Sequence, residues 1–449
     1  MFIHMLVAVL SIKCIPCEID AIVQKNEPLI VTDYIERKEI QQARSKCEVK
    51  HSAFLNKTSF SGYFRVNKDF KSHMFFWFFP AEESYEKAPI VLWLQGGPGD
   101  TTLISLFYEN GPFTIKNNHT LEANWYSWTK MVSIIYVDNP VGTGFSFTKG
   151  GYCKNQTQIG EELYEALQQF FTLFPELIKN NFFISGVSYG GKYAMAIGHT
   201  IHQKNPTATL KINLKGISCG NAVVDPEHEI NYGEYFYQLG LIDFNTKEEM
   251  QKLELKASHM VHQKKYVEGL SYMCNAVLSS NSLFSNLSGF GNSLYNLLHW
   301  NFTVNYTDIR NFISKSEIRM AIHVGNQTFH QGYEVMENLW DEMMISVAPW
   351  MVELLNHYKI LVYNGQIDLI VPYPITLNYL RHLNFSGAEE YKSAKRFQWR
   401  INEDIAGYVK QSGNLTEVLV RNAGHMAIHD QPAWLYDLFD KFFNNKPYY

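Results

Sequence analysis

Residues 180–193 read NNFFISGVSYGGKY. An apolar, β-forming run at 182–185 enters Gly186-Val187-Ser188-Tyr189-Gly190, and a helix-compatible segment leaves it. A serine with glycine two positions away on each side, set between a strand and a helix, has the form of a nucleophile elbow. Small residues are needed because so tight a turn strains the serine backbone and pushes its hydroxyl outward. Gly-x-Ser-x-Gly alone recurs by chance, so the strand and helix around it carry the assignment.

Working outward, short runs rich in β-formers recur at 90–94, 133–137, 210–217, 359–363 and 417–420, with helical stretches between them. Strands alternating with helices predict a mostly parallel sheet. Segments 62–66 and 73–79 flank the turn-prone Asn67-Lys68-Asp69 and predict an antiparallel hairpin ahead of that sheet. Ile159, Leu163, Ala166, Leu167 and Phe170 recur at helical spacing and stop before Pro175, which predicts an amphipathic helix. Trp434, Leu435, Leu438, Phe439 and Phe442 predict another near 433–443. From 225 to about 306 the alternation gives way to a charged helical stretch and then to SSNSLFSNLSGFGNSLYN, which has no Lys, Arg, Asp or Glu. With no internal repeat or long linker, the expected architecture is one α/β-hydrolase domain over 21–449. Its mostly parallel sheet is flanked by helices, and a helical cap is inserted at about 225–306.

A serine hydroxyl is a weak nucleophile at neutral pH and needs a base held in place by an acid. In this fold the chain order is serine, acid, histidine. Asp368 follows the strand expected at 359–363, and His425 follows the one at 417–420. Both fall on loops at the carboxyl ends of strands, where such sheets build their sites. Ser188, Asp368 and His425 are therefore the candidate catalytic residues. LWLQGGPG at 92–99 is a glycine-rich turn after another strand, able to present backbone N–H groups to a developing oxyanion. Gly97 and Tyr189 are the candidate donors. The same turn lacks the Gly-Lys-Ser/Thr ending of a phosphate-cradling loop. His199 and His202, three apart after the elbow, read as ordinary helix-face histidines rather than metal ligands.

Hydrophobic residues make up 46% and charged residues 18% of the 449, a balance that supports a large core and argues against disorder. A net charge of −5 without a basic stripe argues against nucleic acid as a partner. Nothing in the pattern calls for a membrane surface or a cofactor. The apolar run at 1–12 is too short to span a bilayer and suits the core of a signal peptide, placed at 1–20 with cleavage between Cys17 and Ala21. Nine Asn-x-Ser/Thr sequons point to the same secretory route, at Asn56, Asn118, Asn155, Asn286, Asn301, Asn305, Asn326, Asn384 and Asn414. Of six cysteines, Cys14 and Cys17 fall with the signal peptide; Cys47, Cys153, Cys219 and Cys274 remain for disulfides in any of three pairings. No Cys or His pairs stand at zinc spacing, so no metal site is expected.

With these residues identified, the sequence resembles the serine carboxypeptidases, and most closely their vitellogenic-like branch. The match begins near Ser61 (SGYFRV) and passes through WLQGGPG at Trp93, ENGP at Glu109, DNPVGTGFSF at Asp138 and GVSYGGKY at Gly186. It continues through LKGISCGNAVVDP at Leu214, IRMAIHVGNQTF at Ile318, YNGQIDLIVP at Tyr363, AGYV at Ala406 and NAGHM at Asn422. The resemblance implies removal of C-terminal residues from peptides through an acyl-enzyme on Ser188, in the extracellular space or a lysosome-like compartment. In that family the substrate's terminal carboxylate is held by a tryptophan, a side-chain amide, a backbone amide and two glutamic acids. These map to Trp93, Gln95, Gly96, Glu109 and position 187, which here is Val187.

Two carboxyls sharing a proton have a raised apparent pKa, so one of them donates a hydrogen bond to a carboxylate at mildly acidic pH. With Val187 in place of the partner, Glu109 is expected to ionise more readily and to repel the substrate. Two outcomes are thus in view: a carboxypeptidase with altered carboxylate recognition, or a weak or inactive secreted binding protein of the same fold.

Overall fold

The computed structural model describes residues 27–290, 294–300 and 304–448. The segment expected to be a signal peptide and the sequon at Asn301 lie outside the described residues. Ten strands make one sheet: β1 (Phe60–Asn67), β2 (Ser72–Phe79), β3 (Ile90–Leu94), β4 (Ser133–Val137), β5 (Phe182–Val187), β6 (Leu214–Gly220), β7 (Lys359–Gly365), β8 (Arg396–Ile401), β9 (Asp404–Ser412) and β10 (Leu415–Val420). Their order is β1-β2-β4-β3-β5-β6-β7-β10-β9-β8. The six central strands run parallel, and the hairpins β1–β2 and β8–β9 close the two edges antiparallel. This is the expected α/β-hydrolase architecture.

Side-chain alternation along β3 explains why the sheet is covered on both faces. Ile90, Leu92 and Leu94 belong to the apolar cluster that also takes α1 (Gln156–Leu173) and α2 (Gly190–Lys204). Val91 and Trp93 point to the opposite cluster, filled by the last helix. All five residues of β3 and of β4 are buried. The helix α1 is started by Asn155, whose side chain accepts from the Gln158 N–H at 3.0 Å.

Beyond β6 come α3 (Tyr232–Gln238), α4 (Phe244–His262) and α5 (Tyr266–Met273). They pack on one another through Phe236, Met250, Ala257 and Leu270, and on Leu369, Val371 and Ile375 beyond β7. Chain from the expected insertion is thereby brought beside the carboxyl end of the sheet.

Two expectations need correction, and one element lay outside them. The strand placed at 210–217 begins at Leu214, because Asn205 holds Ile212 through both its N–H, at 3.0 Å, and its carbonyl, at 2.8 Å. That clasp takes the segment before Leu214 out of the ladder. The β8–β9 hairpin was not anticipated, because β8 shows the solvent a nearly continuous polar surface with only Trp399 buried. Its turn is made at Asn402, whose φ is 55°. Finally, the four cysteines expected to form disulfides are all unbridged: Cys47, Cys153 and Cys219 are buried and Cys274 is half-buried. Cys219 sits within β6 and Cys47 on an outer helix, so each is packed into its own wall of the core. No helix among the described residues is long and apolar enough to cross a membrane.

The last helix, α6 (Pro432–Asn444), anchors one face through Phe439, whose ring lies 4.1 Å from Trp128 and 5.3 Å from Tyr363, centroid to centroid. Phe439→Ala will lower the unfolding free energy by about 3–5 kcal/mol, read from a denaturant midpoint at unchanged slope. Leu255→Ala on α4, where the side chain is 72% exposed, will change it by less than about 0.5 kcal/mol.

Candidate active site

Ser188 sits between β5 and α2 with φ of 57°, a left-handed conformation that costs a non-glycine residue energy and persists only where its surroundings enforce it. The Ser188 N–H donates to the Gly220 carbonyl at 2.9 Å, and its own carbonyl accepts from Gly191 at 3.0 Å and Val223 at 3.1 Å. The turn is clamped from a third direction by the 92–99 loop. A Cβ on Gly96 would fall 2.6 Å from Ser188 Cβ and 2.9 Å from the Tyr189 nitrogen. Only glycine lets the two loops approach so closely.

His425 follows β10 and Asp368 follows β7, as expected from the sequence. His425 Nδ1 lies 2.9 Å from Asp368 Oδ2. Asp368 is fully buried, yet each of its oxygens is supplied with two donors. Oδ1 accepts from the Ile370 and Val371 N–H groups at 2.7 and 3.2 Å, and Oδ2 accepts from Asn221 Nδ2 at 2.6 Å as well as from the histidine. This supply offsets the desolvation of a buried carboxylate. With Nδ1–H committed to Asp368, Nε2 is the free acceptor nitrogen of His425, a tautomer assigned from the hydrogen-bond network. The His425 backbone N–H donates to the Tyr295 carbonyl at 2.6 Å. No hydrogen bond joins Ser188 Oγ to His425 among the described residues. Such bonds are often long in unliganded enzymes and tighten with substrate.

Asn221 was quoted within a motif, but its role was missed. It stands at the carboxyl end of β6, so Ser188, Asn221, Asp368 and His425 leave the ends of four adjacent parallel strands. Gly97, Ser188 and Tyr189 line one cavity of about 140 Å³. Tyr189 is fixed by contacts distant in sequence. Its hydroxyl donates to Glu342 Oε2, Gln156 Nε2 donates to that hydroxyl at 3.3 Å, and Glu342 Oε1 lies 2.9 Å from the fully buried Lys192 Nζ.

The residues mapped to carboxylate binding also converge. Trp93 Nε1 donates to Gln95 Oε1 at 3.4 Å, and Ser105 Oγ lies 2.6 Å from the same oxygen and within hydrogen-bond reach of Glu109 Oε2. An indole N–H can only donate, so it orients the Gln95 amide with oxygen toward Trp93. The single Ser105 hydroxyl proton is thus shared between two acceptors, Gln95 Oε1 and Glu109 Oε2. Burial raises the Glu109 pKa above the ordinary carboxyl value, against the opposing effects of the Ser105 hydrogen bond and of His429 and His425. The expectation that Glu109 ionises more readily without a carboxyl at position 187 is a comparison with the paired site; what the structure adds is that burial favours the neutral form. The sequence shows the missing neighbour but not the depth of burial. Val187 itself is half-buried against the apolar cluster on that face.

His199 and His202 take up ordinary helix-face contacts. His199 stacks on Trp350 and meets Glu353 at 3.2 Å, and His202 approaches Tyr358 at 3.1 Å.

Residues 49–445 match the peptidase S10 family of serine carboxypeptidases. The chain is similar to the venom serine carboxypeptidase of Apis mellifera, with 45% identity covering 93% of this chain and 91% of that protein. It is 41% identical to the vitellogenic carboxypeptidase of Aedes aegypti, covering 93% and 90%. It is also 41% identical to the probable serine carboxypeptidase CPVL of Homo sapiens, covering 94% and 90%. Among solved structures, the fold is similar to that of Kex1Δp, a prohormone-processing carboxypeptidase from Saccharomyces cerevisiae, at a TM-score of 0.78 and 20% identity over 90% of this chain and 96% of that one.

Gly96→Ala will push a methyl group into Ser188 and the Tyr189 N–H. The rate of covalent labelling by a fluorophosphonate will fall at least about a hundredfold, a loss of the size seen when one oxyanion donor is removed. The circular dichroism spectrum will stay that of the folded protein.

Proposed function

The chain belongs to the serine carboxypeptidase family, and we propose that it releases single residues from the C-termini of peptides through an acyl-enzyme on Ser188. Ser188 Oγ attacks the last peptide carbonyl while His425 Nε2 takes its proton. Asp368, ordered by Asn221 and two backbone N–H groups, keeps the imidazole in the tautomer that allows this. The N–H groups of Gly97 and Tyr189 receive the negative charge that develops on the carbonyl oxygen. His425 then returns the proton to the departing amine, the C-terminal amino acid leaves, and water attacks the ester by the reverse proton route.

The Trp93–Gln95–Ser105–Glu109 chain is the observation that carries the reading from a general hydrolase to a carboxypeptidase. It leaves the Gln95 amide N–H₂ free to donate to a terminal carboxylate, alongside the Gly96 N–H. A buried neutral Glu109 does not oppose that anion as an ionised one would. Carboxylate recognition is therefore altered in degree by Val187 and retained through burial.

The eight sequon asparagines within the described residues are all exposed, which supports passage through the secretory pathway to the extracellular space or a lysosome-like compartment. The helical chain between β6 and β7 serves as a cap over the carboxyl ends of the strands, within one catalytic domain.

Glu109→Gln and Ser188→Ala test this reading on a blocked dipeptide with a free carboxylate, assayed from pH 4 to 8. Below the raised pKa the wild-type carboxyl is neutral and KM is low; as pH rises through that pKa the group ionises and KM climbs. Glu109→Gln will hold KM nearly flat, about tenfold below wild type at the alkaline end, because it removes a charge repulsion worth one charge-assisted hydrogen bond. Ser188→Ala will abolish turnover. Turnover by Ser188→Ala would contradict the nucleophile, an unchanged KM profile in Glu109→Gln would contradict the carboxylate site, and absence of wild-type turnover would favour a binding protein of the same fold.

A further inference from the structure

The cavity that contains Ser188 is lined by neither Gln95 nor Glu109. A substrate whose C-terminal carboxylate is held by those two residues therefore places the acyl side of its cleaved bond toward this cavity. Its walls are apolar: Leu270 and Met273 from α5, with Met343, Ile370 and Ile375. Two lining tyrosines have their hydroxyls committed elsewhere, Tyr232 to the Ile370 carbonyl at 2.9 Å and Tyr189 to Glu342. One lining residue carries a carboxyl. Glu229 is only 6% exposed, and its Oε1 accepts from the Val224 and Asp225 N–H groups at 3.0 and 3.3 Å. Its Oε2 has no hydrogen-bond donor among the described residues.

We propose that Glu229 is the specificity-determining residue of this pocket, admitting apolar side chains on the acyl side while its carboxyl is neutral and selecting cationic ones once it is ionised. The proposal rests on Ser188 being the nucleophile.

The geometry accounts for both states. Two N–H donors on Oε1 leave Oε2 to carry the proton of the neutral acid, so the pocket then presents a weakly polar wall to a leucine- or methionine-like side chain. Loss of that proton puts a negative charge in an otherwise apolar pocket, where a lysine or arginine head group supplies the missing partner and an acidic side chain is excluded.

The groups facing Glu229 come from every surrounding element. Asp225 stands on its own loop, Lys192 on α2 with its ammonium already bonded to Glu342, Tyr232 on α3, Cys219 on β6, and Tyr379 on the helix Tyr373–His382. Burial pushes the Glu229 pKa up to about 8, against the two backbone hydrogen bonds and with a further push from Asp225; Lys192 lowers it. The change of state thus falls near neutral to mildly alkaline pH. At the acidic pH of a lysosome-like compartment the pocket is of the apolar type.

Glu229→Gln keeps the Oε1 acceptor for Val224 and Asp225, so the loop is held, and it removes only the ionisation. The test compares inactivation rates of the full-length wild type and Glu229→Gln by aminoalkyl phosphonates bearing a leucine-like or a lysine-like side chain, at pH 6 and pH 9. Because both reagents react with the same serine through the same base, the ratio of their rates isolates the pocket. In the wild type the leucine-to-lysine ratio will fall at least about tenfold from pH 6 to pH 9, while in Glu229→Gln it will stay within about twofold. A wild-type ratio that does not move, or a variant ratio that moves in parallel, would overturn the role of Glu229 and leave Ser188 intact. No inactivation of the wild type by either reagent would overturn the nucleophile and this proposal with it.

Discussion

The left-handed turn at Ser188 is the constraint to which the rest of the active centre is referred. It is held by backbone hydrogen bonds to Gly220, Gly191 and Val223 and by the close approach of Gly96. Those contacts come from the two strands beside β5 and from the helix that follows it. The sheet must therefore be assembled before the serine can be strained, and its energy must exceed the local cost of the turn. The same parallel packing sets Asn221, Asp368 and His425 just beyond the ends of neighbouring strands, so one layer brings the four candidate residues together.

Two buried carboxyls in this site have opposite roles, and their hydrogen-bond supply explains the difference. Asp368 receives four donors, enough to serve it as an anion away from water. Glu109, 6% exposed, has the Ser105 hydroxyl as its side-chain hydrogen-bond partner, and it shares that single proton with Gln95. A carboxyl in such a place is favoured in its neutral form. In the proposed reading, burial of Glu109 is what lets a site with Val187 at the second carboxyl position still meet an anionic chain end.

Much of this was legible in the sequence because it rested on local pattern. The β-forming runs of β3 and β4 matched their strand limits, the glycines around Ser188 marked the elbow, and Asp368 and His425 were found by their place after strands. Other features depend on contacts that pattern does not carry. The hairpin β8–β9 is nearly all solvent-facing along its outer strand, so it has no apolar alternation to read. Residues 210–213 are β-prone but are taken out of the ladder by Asn205. The fixing of Tyr189 requires Lys192 to meet Glu342, 150 positions away in sequence. The raised pKa of Glu109 and the place of Glu229 on the cavity wall follow from burial and long-range packing, which no residue reports about itself. Asn221 was the nearest miss: it follows a strand as Asp368 and His425 do, and only the expected chain order of three groups kept a fourth from being sought.

The most direct test of the account is to trap the acyl-enzyme. Wild-type protein is mixed with a peptide bearing a free C-terminus, quenched in acid within the first turnovers, and measured by intact-protein and peptide mass spectrometry. The account predicts an adduct on the peptide containing Ser188 whose mass is that of the substrate lacking its last residue, and much less of it from the same peptide with an amidated end. An adduct elsewhere, an adduct formed equally well from the amide, or release of the last residue with no detectable ester on Ser188 under conditions that trap such esters would contradict it.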